Sequence, residues 1–168
     1  MVESGPREHT VRVIIQRVLS ASVSWSDIDG STRNNQIGRG MVVLAGAGGD
    51  DSAATVERMA TKVAQLRIFQ DAEGRTNLSL EEVKGEALVV SQFTLYADLS
   101  RGRRPSFLGA GDPAHAAALL ERFGAHLSGR GIITRTGSFG ASMLVSLEND
   151  GPFTLALSND TWQTRISG

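Results

Sequence analysis

Along most of the chain, apolar and polar positions alternate or run together over lengths that suit strands. VRVIIQRV (11–18) and SASVSW (20–25) are rich in β-branched residues and partly alternate, which predicts two strands, with DIDGSTRNNQ (27–36) as a polar connection. MVVLAGAG (41–48) is continuously apolar, as expected of a strand covered on both faces. Asp50, Asp51 and Ser52 then supply helix N-cap chemistry, and Val56, Met59, Ala60, Val63 and Leu66 fall on one helical face behind them. RIFQDAEGRTNLSL (67–80) reads as a strand and turn. EALVVSQFTLYA (86–97) reads as one strong strand, with Ser91, Phe93 and Leu95 on one face and Gln92, Thr94 and Tyr96 on the other.

The pattern breaks at DLSRGRRPSFLGAGDP (98–113), where Gly and Pro preclude regular structure. A second helix begins near Asp112-Pro113, buries Ala116, Leu119, Leu120, Phe123 and Leu127, and stops at Gly129 and Gly131. Residues 133–157 return to β pattern, with Met143, Val145 and Leu147 turned to the core and Leu144, Ser146 and Glu148 forming a mixed outer face. Two helices and an excess of strands are therefore expected.

At 168 residues and 40% apolar composition, one domain with one proper core is expected. We place it at 11–158, after a flexible leader (1–10) and before a polar tail (159–168). No apolar run is long enough to span a bilayer as a helix, and MVESGPREHT lacks the apolar centre of a secretory signal. The chain contains no cysteine, which removes disulfides and thiolate chemistry and fits a reducing cytoplasm. A formal charge of −1 argues against a broadly basic nucleic-acid coat but leaves room for a local basic groove.

Candidate chemistry is sparse. His9 lies in the leader, and His115 and His126 are eleven residues apart on the second helix, about 16 Å along its axis, too far to share a metal. They read as solvated helix histidines, and neither a metal nor a cofactor is predicted. AGAGGD (45–50) lacks a full phosphate-loop pattern and reads as a tight turn. Arg101, Arg103 and Arg104 in SRGRRPSF suit phosphate contact by forked guanidinium groups, although by pattern alone a solvated loop is the plainer reading. Thr94 and Gln92 are, by pattern alone, ordinary strand residues. Asp150-Gly151 between two strand-like runs is a standard hairpin signal, and the isomer of the Gly151-Pro152 bond cannot be read from sequence.

Taken together, these segments resemble the bacterial-type D-aminoacyl-tRNA deacylases, whose signatures are an SQFTL strand and an NxGPxT segment. Here they are Ser91-Gln92-Phe93-Thr94-Leu95 and Asn149-Asp150-Gly151-Pro152-Phe153-Thr154, flanked in the family's order by VIIQRV, LRIF (66–69), NLSL (77–80), GRRPSF (102–107) and GSFGASM (137–143). The leader, a longer hairpin around 26–36 and the tail depart from the pattern without touching a motif. Phe93 distinguishes the chain from the similar sister family with an SQATL strand.

The resemblance implies hydrolysis of the ester between a D-amino acid, or glycine, and the 3′-terminal adenosine of tRNA. It further implies a cytoplasmic homodimer with active sites at its interface and a three-layer β/β/α fold, of α/β class with mixed α+β character, in which a mixed, barrel-like sheet carries two main helices. In this picture Gln92, Phe93 and Thr94 serve catalysis. Gly151 and Pro152, in the cis form, select against L side chains alongside Ser91 and Arg17, and Arg101, Arg103 and Arg104 meet tRNA phosphates. No histidine lies in either motif, so Thr94 is expected to position the ester rather than attack it, with backbone N–H groups around Gln92, Phe93 and Thr94 stabilising the oxyanion. The alternative is a non-catalytic dimer that binds tRNA ends or nucleotides.

Overall fold

A computed structural model describes residues 11–160; the leader with His9, and tail residues 161–168, lie outside the described residues. The strands are β1 (Arg12–Ser26), β2 (Thr32–Ile37), β3 (Gly40–Gly46), β4 (Phe69–Gln70), β5 (Thr76–Leu78), β6 (Glu86–Ser91), β7 (Thr134–Thr136) and β8 (Met143–Ser158). The helices are α1 (Ala53–Gln65) and α2 (Pro113–Gly129), and a four-residue 3-10 turn covers Phe93–Tyr96.

One mixed sheet runs β2-β1-β3-β6-β7, with β8 also paired to β1. The two runs read as separate strands are a single fifteen-residue strand, β1. It pairs antiparallel with β3 over Arg12–Val18 and with β2 over Ala21–Ser26, while β8 follows it from Arg12 to Trp25. Because β1 changes partner halfway along, the sheet curls, and Asn35 Nδ2 donates to the Thr136 carbonyl at 2.6 Å across the gap between β2 and β7. The result is the nearly closed, barrel-like sheet that the resemblance implied, with the two helices that the pattern predicted. Two elements differ: the polar connection after β1 contains a paired strand, β2, and β4 and β5 form a small separate hairpin.

Strand alternation assigns two cores. Met41, Val43 and Ala45 of β3, with Ala87 and Val89 of β6, face the helices and pack with Val56, Val63, Phe123 and Leu127. Val42, Leu88 and Val90 point the other way and fill the curled sheet with Val18, Val23 and Ile37. Continuously apolar β3 and β6 therefore serve both layers, which is why no polar positions interrupt them. Helix α1 starts at Ser52, whose Oγ accepts the Thr55 N–H, and α2 starts at Asp112, whose carboxylate accepts the His115 N–H.

Two sequence expectations fail where they touch the motifs. The strand expected over 86–97 ends at Ser91; Gln92 N–H still donates to the Ala45 carbonyl at 2.8 Å, but Phe93–Tyr96 coil into the 3-10 turn. The expected faces are lost with the strand: Tyr96 is 5% exposed and Phe93 58% exposed. Nor does Asp150-Gly151 turn a hairpin. The chain continues in one direction along β1 as β8, carrying the Gly-Pro in a bulge.

Candidate functional site

The bulge is defined by its pairing. Gln16 faces Thr154 and Val18 faces Asn149, so Arg17 alone on β1 stands opposite Asp150, Gly151, Pro152 and Phe153. Proline lacks an N–H for the ladder and is confined in sheets to edges and bulges such as this one. The Gly151-Pro152 peptide is cis, as the resemblance implied, and both residues are exposed.

Arg17 holds the loop from beneath. It is 6% exposed, its Nε donates to the Asp150 carbonyl at 3.0 Å, its Nη1 donates to the Ile68 carbonyl at 2.6 Å, and its guanidinium lies 4.8 Å from the centre of the Phe153 ring. The Asp150 carboxylate, 3.5 Å away, balances its charge. Asn149 closes the loop: its Oδ1 accepts the Phe153 N–H at 2.8 Å and its Nδ2 donates to Thr154 Oγ1 at 3.1 Å. Gly151 has φ +143°, and a Cβ there would stand 2.9 Å from the Phe153 nitrogen and 3.3 Å from Arg17 Nη2, so an L side chain is excluded by both conformation and space.

The second motif is a turn hung from β3 and β6. Gln92 is at its start, and its side-chain Nε2 contacts Thr94 Oγ1. With its backbone N–H committed to Ala45, Gln92 is removed from the expected set of oxyanion donors; the N–H groups of Phe93 and Thr94 carry no backbone bond. Ser91 ends β6, paired with Ala45. The exposed Phe93 ring meets Phe107 edge to face at 5.1 Å, which ties the 98–112 loop to the turn. Arg101, Arg103 and Arg104 lie exposed on that loop, which an Asp98–Ser106 bridge closes.

Neither helix histidine reaches these motifs. His115 Nε2 is 3.0 Å from the Asp51 carbonyl and His126 Nε2 is 2.8 Å from Thr61 Oγ1; His115 is exposed, as expected of a solvated helix histidine, whereas His126 is half-buried. Asp51, expected to cap α1, is buried and accepts the N–H groups of Gly48 and Val11; burial pushes its carboxyl above the usual range despite those bonds. Among the described residues no three His, Asp or Glu side chains gather as a metal site, and no helix is long and apolar enough to cross a membrane.

Sequence reasoning missed Asn149, Phe107, Arg12 and Tyr96. Asn149 was within reach, because its carboxamide sits inside the quoted motif and Asn closes tight loops through its own backbone neighbours. The other three act through contacts that no local pattern encodes.

The family described as D-Tyr-tRNA(Tyr) deacylase matches residues 14–158. A D-aminoacyl-tRNA deacylase of Lactobacillus acidophilus is 50% identical over 147 residues, covering 88% of this chain and 99% of the relative. One from Roseiflexus castenholzii is 52% identical over 149 residues, covering 89% and 92%. Among solved structures, one described as c-Myc DNA Unwinding Element Binding Protein is similar at TM-score 0.80 and 34% identity, covering 89% of this chain and 99% of that one. A probable eukaryotic D-amino acid tRNA deacylase shares the fold at TM-score 0.77 and 21% identity, with the same coverage. With both motifs inside the matched region and relatives half identical over nearly their whole length, the chain belongs to the D-Tyr-tRNA(Tyr) deacylase family.

Proposed function

We propose that this chain is a chiral proofreading hydrolase, which cleaves the ester between a D-amino acid, or glycine, and the 3′-terminal adenosine of tRNA and rejects L-aminoacyl-tRNA. Family membership supports the deacylase activity. The single observation that carries selectivity is the Arg17-braced bulge, which presents the backbone of Gly151 and Pro152 at the surface while the neighbouring Asp150 carboxylate is paired with Arg17. Rigid main-chain atoms discriminate by exclusion, so the identity of the D side chain matters little.

The active unit in this reading is a cytoplasmic homodimer. Arg17, beneath the Gly-Pro loop, and Arg12, which contacts the Thr94 turn, are five residues apart on β1, about 17 Å along an extended strand. That separation favours delivery of Gly151-Pro152 to the pocket of a second copy. Exposed Leu19 and Leu144, on β1 and β8, offer apolar contact for such a partner.

Chemistry is assigned to position and electrostatics. The N–H groups of Phe93 and Thr94 face the developing oxyanion, a contribution of about 3–4 kcal/mol for a good donor. Thr94, in contact with Gln92, orients the ester while the terminal ribose 2′-hydroxyl activates water. Ser91 lines the pocket, and Arg101, Arg103 and Arg104 take tRNA phosphates. Incubation with D-Tyr-tRNA and L-Tyr-tRNA tests the whole: release from the D-ester alone is expected. Retention of both would favour a non-catalytic binder of tRNA ends.

A further inference from the structure

The turn that carries Phe93 and Thr94 is poorly held by its own bonds. Leu95 N–H reaches the Gln92 carbonyl at 3.3 Å and Ala97 N–H the Thr94 carbonyl at 3.1 Å, and a 3-10 turn this short has unfavourable hydrogen-bond geometry. Its start is pinned by Gln92 N–H on Ala45. Its end is pinned by two side chains outside both motifs. Arg12 Nη1 donates to the Leu95 carbonyl at 2.9 Å, and the Tyr96 hydroxyl donates to the Gly46 carbonyl at 2.9 Å.

These anchors form one unit. Arg12 on β1 is the cross-strand partner of Gly46 on β3, where the missing side chain leaves room for a ring. Tyr96 lies in that room so closely that a Cβ on residue 46 would stand 2.7 Å from its Cε2 and 3.0 Å from the Gln92 carbonyl oxygen. The Arg12 guanidinium then lies over the ring, 4.8 Å from its centre. Burial pushes the Tyr96 phenol far above its ordinary range, with the Asp51 charge adding to the shift and Arg12 opposing it, so the hydroxyl remains a donor at working pH.

We infer that Arg12 and Tyr96 are a positioning pair for the deacylation: stacked over Gly46, they set the angle at which the Phe93 and Thr94 backbone meets the ester. The inference rests on the reading of that turn as the catalytic site. A pair that acts this way changes turnover more than ground-state binding, because a donor displaced by a fraction of an ångström still allows the tRNA to dock.

The test is steady-state deacylation of D-Tyr-tRNA by Tyr96→Phe, which keeps the ring and removes the hydroxyl, by Arg12→Met, and by the double variant. Each single change is expected to lower kcat roughly tenfold with KM nearly unchanged, since misplacement of about 1 Å costs on the order of 100-fold. The double variant should lose less than the product of the two, and Arg12→Lys should recover part of the loss. Val63→Ala, a cavity in the core, serves as the stability control and should lower Tm while leaving kcat intact. Wild-type kcat in both single variants, or a change confined to KM, overturns the positioning role and leaves the site itself standing. Phe93→Pro removes one N–H at a helix-start position that tolerates proline. Should it retain full kcat, the reading of the turn as catalytic fails, and the inference with it.

Discussion

Arg17 Nε donates to the carbonyl of Asp150 at 3.0 Å, across 133 residues of sequence, and so ties the first strand to the residue immediately before Gly151. The same guanidinium reaches Ile68, so two carbonyls from distant segments share one planar fork. Lysine cannot satisfy both. Arg17→Lys is expected to cost about 1.5–3 kcal/mol of stability, as for a lost charge-assisted bond, and thermal melts will read it as a lower Tm. Deacylation should fall on the order of 100-fold through displacement of the loop, and an unchanged rate would separate Arg17 from the selectivity segment.

Gly151→Ala places a methyl group 2.9 Å from the Phe153 nitrogen at a backbone φ of +143° that alanine rarely adopts. The loop must move. We expect kcat/KM for D-Tyr-tRNA to fall on the order of 100-fold and the preference over L-Tyr-tRNA to narrow. A variant that keeps both would show that Gly151 does not shape the pocket.

Thr94 contacts Gln92, and neither histidine among the described residues stands beside it, because His115 and His126 are engaged at Asp51 and Thr61. Thr94→Ala should keep kcat within about tenfold of wild type, against the roughly million-fold cost of deleting a true hydroxyl nucleophile. Mass spectrometry of the quenched reaction should find no acyl-enzyme. Detection of an adduct on Thr94 would replace positional catalysis with a covalent route.

Replacing Arg101, Arg103 and Arg104 together with Ala removes exposed charge beside the turn without touching the core. If each meets a phosphate, the log–log salt dependence of tRNA binding should flatten by about 2, at roughly 0.7 per contact. Hydrolysis of D-tyrosyl-adenosine, which lacks those phosphates, should be unaffected. An unchanged salt slope would return the arginines to the role of a solvated loop.

Burial raises the Asp51 carboxyl above its ordinary 3.8, so the folded chain holds that proton more tightly than the unfolded one. Its contribution to stability is then fully present below 3.8 and is lost as pH rises through the folded value. The difference in unfolding free energy between wild type and Asp51→Asn, measured in urea, should therefore decline as pH rises above the ordinary carboxylate value of 3.8. A difference that grows with pH would reverse the assigned cause.

Much of this molecule is legible locally. The apolar faces of both helices, the Ser52 and Asp112 caps and the two-sided burial of β3 all follow from periodicity and flanking residues. What failed did so for non-local reasons. SQFTLY has the composition of a strand, but β3 ends at Gly46, and beyond that point Tyr96 finds its bond on the Gly46 carbonyl and not in a ladder. Asp-Gly has the composition of a hairpin, but β1 is long enough to pair on both sides of the bulge, so the chain continues instead of reversing.

By itself, then, the amino-acid order determined the kinds of elements, their caps, the apolar faces and the two motifs, because each depends on neighbours within a few residues. Tertiary structure alone decided what those motifs became. Arg17 finds Ile68 and Asp150 at separations of 51 and 133 residues, Arg12 finds Leu95 at 83 and Tyr96 finds Gly46 at 50. Contacts at such distances are created by the packing of one long strand against three others, and no local pattern encodes which carbonyl a buried guanidinium will reach.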